Sequence, residues 1–357
     1  MGLAASFVAA ALASGCGIGS SDSTPSRPPA PPPPPTRVTL MPVQYSKLIA
    51  DGAVPLGVHL SGTVAPGSLT PVIKPSVDGH WNSHGDTEVF TPHAYLTPCA
   101  TYTITVPAGT FAVGQLAMAA SRSERVKVAC LTTRALQRTL ARLDYLPYSL
   151  HTHAHIRLHA HESMHAAAEQ AFQPVGVLRP RISDAPTLES GALDEVTIGA
   201  LMTFQSDHNL SPDGTPGPST WAALLRAVSH DEVNQSPYTW VTVSEGSPET
   251  LEVHRDGHVA LSSPTNTGIP GAATATGTFP IFDRATTTTM TGTEPDGTKY
   301  VAPDVPWVNY FNGGDAVHGY PRASYGSPQS NGCVELPIST AQTVFGMLQI
   351  GDLVVVS

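Results

Sequence analysis

The chain has 357 residues, 13% of them charged, and a formal net charge of −10. That balance excludes a nucleic-acid binder, which needs a basic face against phosphates. The length allows roughly two to four domains, and 34 Pro with 31 Gly call for many turns and linkers.

Leu3 to Cys16 is an apolar stretch too short to span a bilayer but of signal-peptide length. Its end, Ala13-Ser14-Gly15-Cys16, resembles a bacterial lipobox. The resemblance implies a lipoprotein signal peptide over 1–16, with Cys16 as the lipidated residue. The chain is then expected on the outer face of the cytoplasmic membrane or in the cell wall, lipid-anchored or secreted. Residues 17–36 are Gly/Ser- and then Pro-rich, with Pro31 to Pro35 unbroken. Such a run extends as polyproline II and builds no core, so it reads as a semi-rigid linker.

Over 37–133 short runs alternate between turn residues. Val54, Leu56, Val58 and Leu60 fall on one face, and Tyr102-Thr103-Ile104-Thr105-Val106 and Val126-Lys127-Val128 alternate likewise. This pattern predicts a β-sandwich, and it resembles bacterial immunoglobulin-like wall domains. Cys99 and Cys130 lie in it. In an exported chain two cysteines of one domain pair, and closing such a loop stabilises by about 3–4 kcal/mol in the chain-entropy account.

Over 134–229 the period becomes helical. Leu136, Leu140 and Leu143 share one face, Val196, Ala200, Leu201 and Phe204 a second, and a third helix opens at Pro218 and presents Trp221, Leu224, Leu225 and Val228. Between the last two helices, Asp213-Gly214-Thr215-Pro216-Gly217-Pro218-Ser219-Thr220-Trp221, together with Phe204-Gln205, resembles the peptidoglycan-binding domain 1 family. That implies a small three-helix module holding glycan strands or stem peptides. An insertion carries His151, His153, His155, His159, His161 and His165. His-rich tracts can take zinc or copper. Here no Cys and few carboxylates accompany them, and the expectation is a solvated or weakly metal-binding insertion with no functional metal site.

The chemistry lies in 237–357. Asp256-Gly257 between alternating runs predicts a hairpin, Ser339 to Leu348 a helix, and the Thr/Gly/Pro-rich stretch from Ala285 to Pro306 a segment with few core residues. Cys333 follows Ser330-Asn331-Gly332, and His318 stands upstream in Ala316-Val317-His318-Gly319. A cysteine attacks as thiolate, and a nearby imidazole is the usual way to make one. Gly332 permits a tight turn that aims backbone N–H groups at a developing oxyanion. Base, turn and nucleophile read as acyl transfer through a thioester. A buried structural Cys beside an unrelated His is the bland alternative.

The surrounding motifs decide between the two. His318-Gly319, Ser330-Asn331-Gly332-Cys333, the upstream Thr276-Gly277-Thr278-Phe279-Pro280, and the downstream Leu336-Pro337 and Gly351-Asp352-Leu353-Val354-Val355-Val356 resemble, in order, the L,D-transpeptidase (YkuD) family. The resemblance implies a mainly β, multidomain chain ending in a β-rich catalytic domain. It implies an enzyme with Cys333 as nucleophile, His318 as base oriented by the Gly319 carbonyl, and N–H groups of Asn331, Gly332 and Cys333 around the oxyanion. It places Tyr310, Ser330 and Glu335 at the substrate and the stretch from Ala285 to Pro306 over it as a lid. The reaction implied is a 3→3 cross-link between peptidoglycan stem peptides, with no metal or organic cofactor. Water as acceptor would give an L,D-carboxypeptidase. A decayed catalytic domain would leave a wall-binding anchor. A papain-like protease is disfavoured because its Cys usually lies far upstream of its His. Two positions depart from the family: Asn331 stands where His is usual, and Glu335 where Arg or Asn is usual. Glu335 then either alters the recognition of a substrate carboxylate or pairs with a local Arg such as Arg322.

Overall fold

The computed structural model describes residues 30–40, 56–93, 96–128, 130–151 and 177–357. Cys16 with the signal and most of the linker, and His153 to His165, lie outside the described residues.

The first domain is a two-sheet sandwich. One sheet runs in the order β1 (Val38–Leu40), β2 (Leu56–Leu60), β5 (Thr87–Pro92), β4 (Gly79–His84). The other runs β3 (Val72–Lys74), β6 (Thr101–Val106), β7 (Arg122–Lys127). The period-2 reading holds residue by residue: Leu56, Val58 and Leu60 are buried from β2, and Tyr102, Ile104 and Val106 from β6. These side chains, with Phe90 and Ile73, form one core. Val54 lies outside the described residues. Cys99 and Cys130 are joined as a disulfide.

Next come three helices, α1 (Thr133–Arg142), α2 (Glu195–Asp207) and α3 (Pro218–His230). A short ribbon of β8 (Tyr148–His151) and β9 (Val177–Pro180) stands between the first two. Each start is set locally. Thr132 and Asp194 accept hydrogen bonds from the third residue of α1 and α2, and Pro218 occupies the first turn of α3. Two fully buried glutamines tie the loops to the helices. Gln137 donates to the carbonyls of Glu189 and Ala192 and accepts from Gly191 N. Gln205 donates to Asp213 Oδ1 and the Thr215 carbonyl and accepts from Gly214 N. The Phe-Gln pair and the Asp-Gly turn are thus one hydrogen-bonded unit.

The C-terminal domain stacks two sheets. The five-stranded one is ordered β12 (His258–Pro264), β11 (Thr250–Arg255), β10 (Thr239–Ser244), β18 (Leu353–Val356), β13 (Gly277–Pro280). The four-stranded one is ordered β14 (Asp283–Thr293), β15 (Lys299–Asn312), β16 (Asp315–Gly319), β17 (Val334–Leu336). Between them Val241, Val243, Val354 and Val356 meet Phe311, Val317, Val334 and Leu336, with Ala341 and Val344 of α4 (Ile338–Met347) closing the core.

The other face of the five-stranded sheet is also covered. Trp240 and Leu353 belong to the core of the helical module, so Leu353-Val354-Val355-Val356 is apolar throughout because both faces are packed. The approach is close at Gly199 of α2, where a Cβ would stand 2.5 Å from the carbonyl oxygen of Gly351. Gly to Ala in a helix normally stabilises by about 1 kcal/mol. Here Gly199→Ala is expected to destabilise by about 1–3 kcal/mol through overpacking. The check is thermal denaturation with limited proteolysis: Tm should fall by several degrees, and cleavage should appear between module and catalytic domain. An unchanged or raised Tm would show that the junction gives way freely.

Candidate active site

Two neighbouring strands position His318 and Cys333. β16 and β17 run parallel, with Val317 opposite Val334 and His318 opposite Glu335. Side chains alternate along a strand. Val317 and Val334 therefore point into the core, while Ala316, His318 and Glu335 take the other face, the face toward which Cys333 projects one residue ahead of β17. His318 and Cys333 line one cleft of about 480 Å3, together with Ser330, Asn331, Glu335, Tyr320, Arg322 and Tyr300.

Hydrogen bonds fix the state of each member. His318 is 3% exposed, and its Nδ1 lies 3.0 Å from the Gly319 carbonyl oxygen. A carbonyl only accepts, so Nδ1 carries the proton and Nε2 is left bare as base. Burial pulls the imidazole pKa below its ordinary value, against the hydrogen bond to Gly319. Cys333 is half-buried, and its Sγ sits 3.7 Å from the Gly314 carbonyl oxygen, as a thiol donor would. Burial pushes its pKa up to about 12, against a hydrogen bond from the Ala316 N–H. Both shifts favour a neutral thiol beside a neutral imidazole at rest.

The turn before Cys333 is built by its own side chains. Gly332 has φ +111°, and a Cβ there would lie 2.5 Å from Asp315 Oδ1. Ser330 is buried, and its hydroxyl donates to the Cys333 carbonyl while accepting from Gly332 N at 3.2 Å. The Gly332 N–H, expected among the oxyanion donors, is therefore engaged inside the turn. Those of Asn331 and Cys333 remain for that role. Ser330, expected at the substrate, lines the cleft and also shapes the turn.

A second layer braces the segment. Asn266 exchanges both backbone hydrogen bonds with Glu335, and Thr267 O accepts from Gln329 N and Ser330 N. The buried Glu249 carboxylate holds Thr267 by its N–H at 2.7 Å and its hydroxyl at 2.8 Å. Glu249 and Asn266 carry no motif that sequence reading could have picked out.

Glu335 is 4% exposed, and Arg322 grips both its oxygens at 2.7 Å, which is the ion-pair alternative of the sequence reading. Tyr310 is not among the cleft-lining residues; its ring faces Phe282 at 6.3 Å, and it packs with Cys333 against Val305, Val308 and Ala316, while Tyr300 and Tyr320 line the cleft. The stretch expected as a lid is a long antiparallel hairpin of β14 and β15. Met290, Glu294, Tyr300 to Pro303 and Val305 of that hairpin form one wall of the cleft.

With this geometry in place, comparison with known proteins defines the class. Residues 238–356 match the family model of the L,D-transpeptidase catalytic domain, and residues 169–224 that of a putative peptidoglycan binding domain. The C-terminal part of the chain is thus similar to an L,D-transpeptidase catalytic domain, and a stretch before it to a peptidoglycan-binding domain. Among solved structures, the catalytic domain of the Enterococcus faecium L,D-transpeptidase is 27% identical, covering 35% of this chain and 100% of that one, with a TM-score of 0.32. An L,D-transpeptidase from Mycobacterium smegmatis is 13% identical over 86% of this chain and 92% of that one, with a TM-score of 0.31. L,D-transpeptidase 3 from Mycobacterium tuberculosis, in complex with a faropenem-derived adduct, is 14% identical over 85% and 92%, also at 0.31. No curated protein matches.

Proposed function

We propose that the protein is a peptidoglycan L,D-transpeptidase that forms 3→3 cross-links through a thioester on Cys333, with His318 as base. The observation that carries this reading is the Nδ1 contact of His318 with the Gly319 carbonyl, which leaves Nε2 unprotonated on the same cleft as Cys333. Nε2 takes the thiol proton as Sγ attacks the carbonyl of the third stem residue. The N–H groups of Asn331 and Cys333 face the oxyanion. As the tetrahedral intermediate collapses, the C–N bond breaks, His318 protonates the leaving nitrogen, and terminal D-Ala departs. A side-chain amine of a second stem then attacks the thioester, giving up its proton to His318, and restores the thiol.

The organisation that goes with this activity is a spacer sandwich over 37–133, a wall-holding helical module over 134–229 and the catalytic domain over 237–357. Cys16 would be the lipid anchor on the outer face of the membrane. No helix among the described residues is long and apolar enough to cross a membrane.

The test is intact mass after incubation with a carbapenem, a strained amide that traps an acylatable thiol, beside a Cys333→Ala control. A stoichiometric adduct lost in the control is expected. Stem-peptide products then divide amine from water as acceptor, the latter meaning an L,D-carboxypeptidase. An unmodified wild type would sink the enzymatic reading in favour of a wall-binding anchor, with Asn331 the first position to restore to His.

A further inference from the structure

Arg322 is the only Lys or Arg among the residues lining the cleft. A guanidinium offers five N–H donors in a planar fork. Three of Arg322's are engaged: Nε meets Glu335 Oε2 at 2.7 Å, and Nη2 meets Glu335 Oε1 at 2.7 Å and the Gln329 carbonyl at 2.8 Å. The two donors on Nη1 meet no acceptor among the described residues. The pair is also asymmetric, with the Glu335 side chain 5% exposed and that of Arg322 29%. The carboxylate lies inward and the guanidinium toward the cleft.

The fork is fixed in place beside the base. Its carbon stands 4.8 Å above the Tyr320 ring, and that ring meets the His318 imidazole edge-on at 6.1 Å. Glu335, beneath the fork, is the strand neighbour of His318. In an acyl transfer the base that takes the thiol proton returns it to the leaving nitrogen. The leaving nitrogen must therefore come within reach of His318, in the cleft that Arg322 also lines. When the leaving residue is the last of a peptide, its carboxylate is only a few bonds from the scissile nitrogen.

We propose that Nη1 of Arg322 anchors the C-terminal carboxylate of the residue that leaves, making Arg322 the residue that selects donor peptides with a free C-terminus. The proposal rests on the acyl-transfer reading. Charge-assisted pairing to a held guanidinium is strong and directional, and in a chain of net charge −10 it gives an anionic peptide a local reason to enter.

The test uses the full chain with Cys333→Ser, which does not turn over. Calorimetry compares an acetylated tetrapeptide stem ending in D-Ala with its C-terminal amide. The acid is expected to bind about tenfold more tightly, a gap in the range of one charge-assisted contact. A second protein with Arg322→Gln and Glu335→Gln keeps a hydrogen-bonding pair without charge, and there the acid should fall to the level of the amide. Equal affinities, a preference that survives the double substitution, or no binding of either peptide at millimolar concentration would each overturn the proposal. The acid–amide comparison needs no Arg322 variant, so a misfolded double variant does not rescue the idea. The carbapenem adduct on the wild type reads the chemistry separately. An adduct with unselective peptide binding removes the anchor alone, and selective binding without an adduct removes the enzyme alone.

Discussion

Alkylation of Cys333 by iodoacetamide is expected to rise about tenfold per pH unit from pH 7 to pH 10, roughly a thousandfold in all, with no plateau. The sign follows from the two shifts. A thiol pKa pushed up to about 12 leaves the sulphur protonated throughout that window, and each unit of pH multiplies the thiolate fraction. An imidazole pKa lowered by burial leaves His318 neutral at pH 7 and unable to hold a thiolate as an ion pair. Acylation by a carbapenem should behave differently, because His318 then acts as base during attack. It should hold from neutral into mildly acidic solution and fall only below the lowered imidazole pKa, under the ordinary value of about 6.5. Stopped-flow or mass-resolved kinetics of both reagents on the same protein make the comparison. An alkylation plateau beginning near pH 6 would mean a resting thiolate–imidazolium pair and overturn the neutral assignment.

Much of this architecture can be read from the chain, and the parts that cannot share a cause. Asp256-Gly257 announces its hairpin because both residues tolerate the left-handed region they occupy, at φ +49° and +84°. The helix expected from Ser339 to Leu348 runs from Ile338 to Met347, and the alternating runs of the sandwich bury the residues that alternation selects. These signals are local. The Ala285 to Pro306 stretch is poor in core residues, yet threonine is β-branched and pairs well in a strand, so the segment forms a hairpin, and Met290, Tyr300 and Val305 are among its side chains that line the cleft. The unbroken apolar run of β18 fits a strand packed on both faces, but which neighbour covers the second face is a long-range fact. Cys333 and His318 were visible as motifs, and the Arg322–Glu335 pair was open as an alternative. The parts played by Ser330 and Glu249 were not, because each depends on which backbone group a folded loop brings within 3 Å or so of an ordinary polar side chain.

Gly332→Ala should lower acylation of Cys333 about a hundredfold or more while leaving its alkylation by iodoacetamide within about threefold. At φ +111° a side chain is strained wherever it points, at a cost of about 1–3 kcal/mol, and the added Cβ meets Asp315 Oδ1 at 2.5 Å. The turn relieves both by rotating the peptide planes on either side of residue 332. Those planes carry the N–H groups of Gly332 and Cys333. Losing one oxyanion donor costs about 10²–10³ in rate, whereas alkylation at a methylene carbon builds no oxyanion and needs only the sulphur. The contrast between the two reagents separates a distorted turn from an unfolded domain, which would change both. Asp315→Ala combined with Gly332→Ala removes the collision but not the strained φ, so acylation should recover only in part. Full recovery would locate the whole effect in the Asp315 contact, and acylation near the wild-type rate in the single variant would show that the turn does not set the oxyanion site.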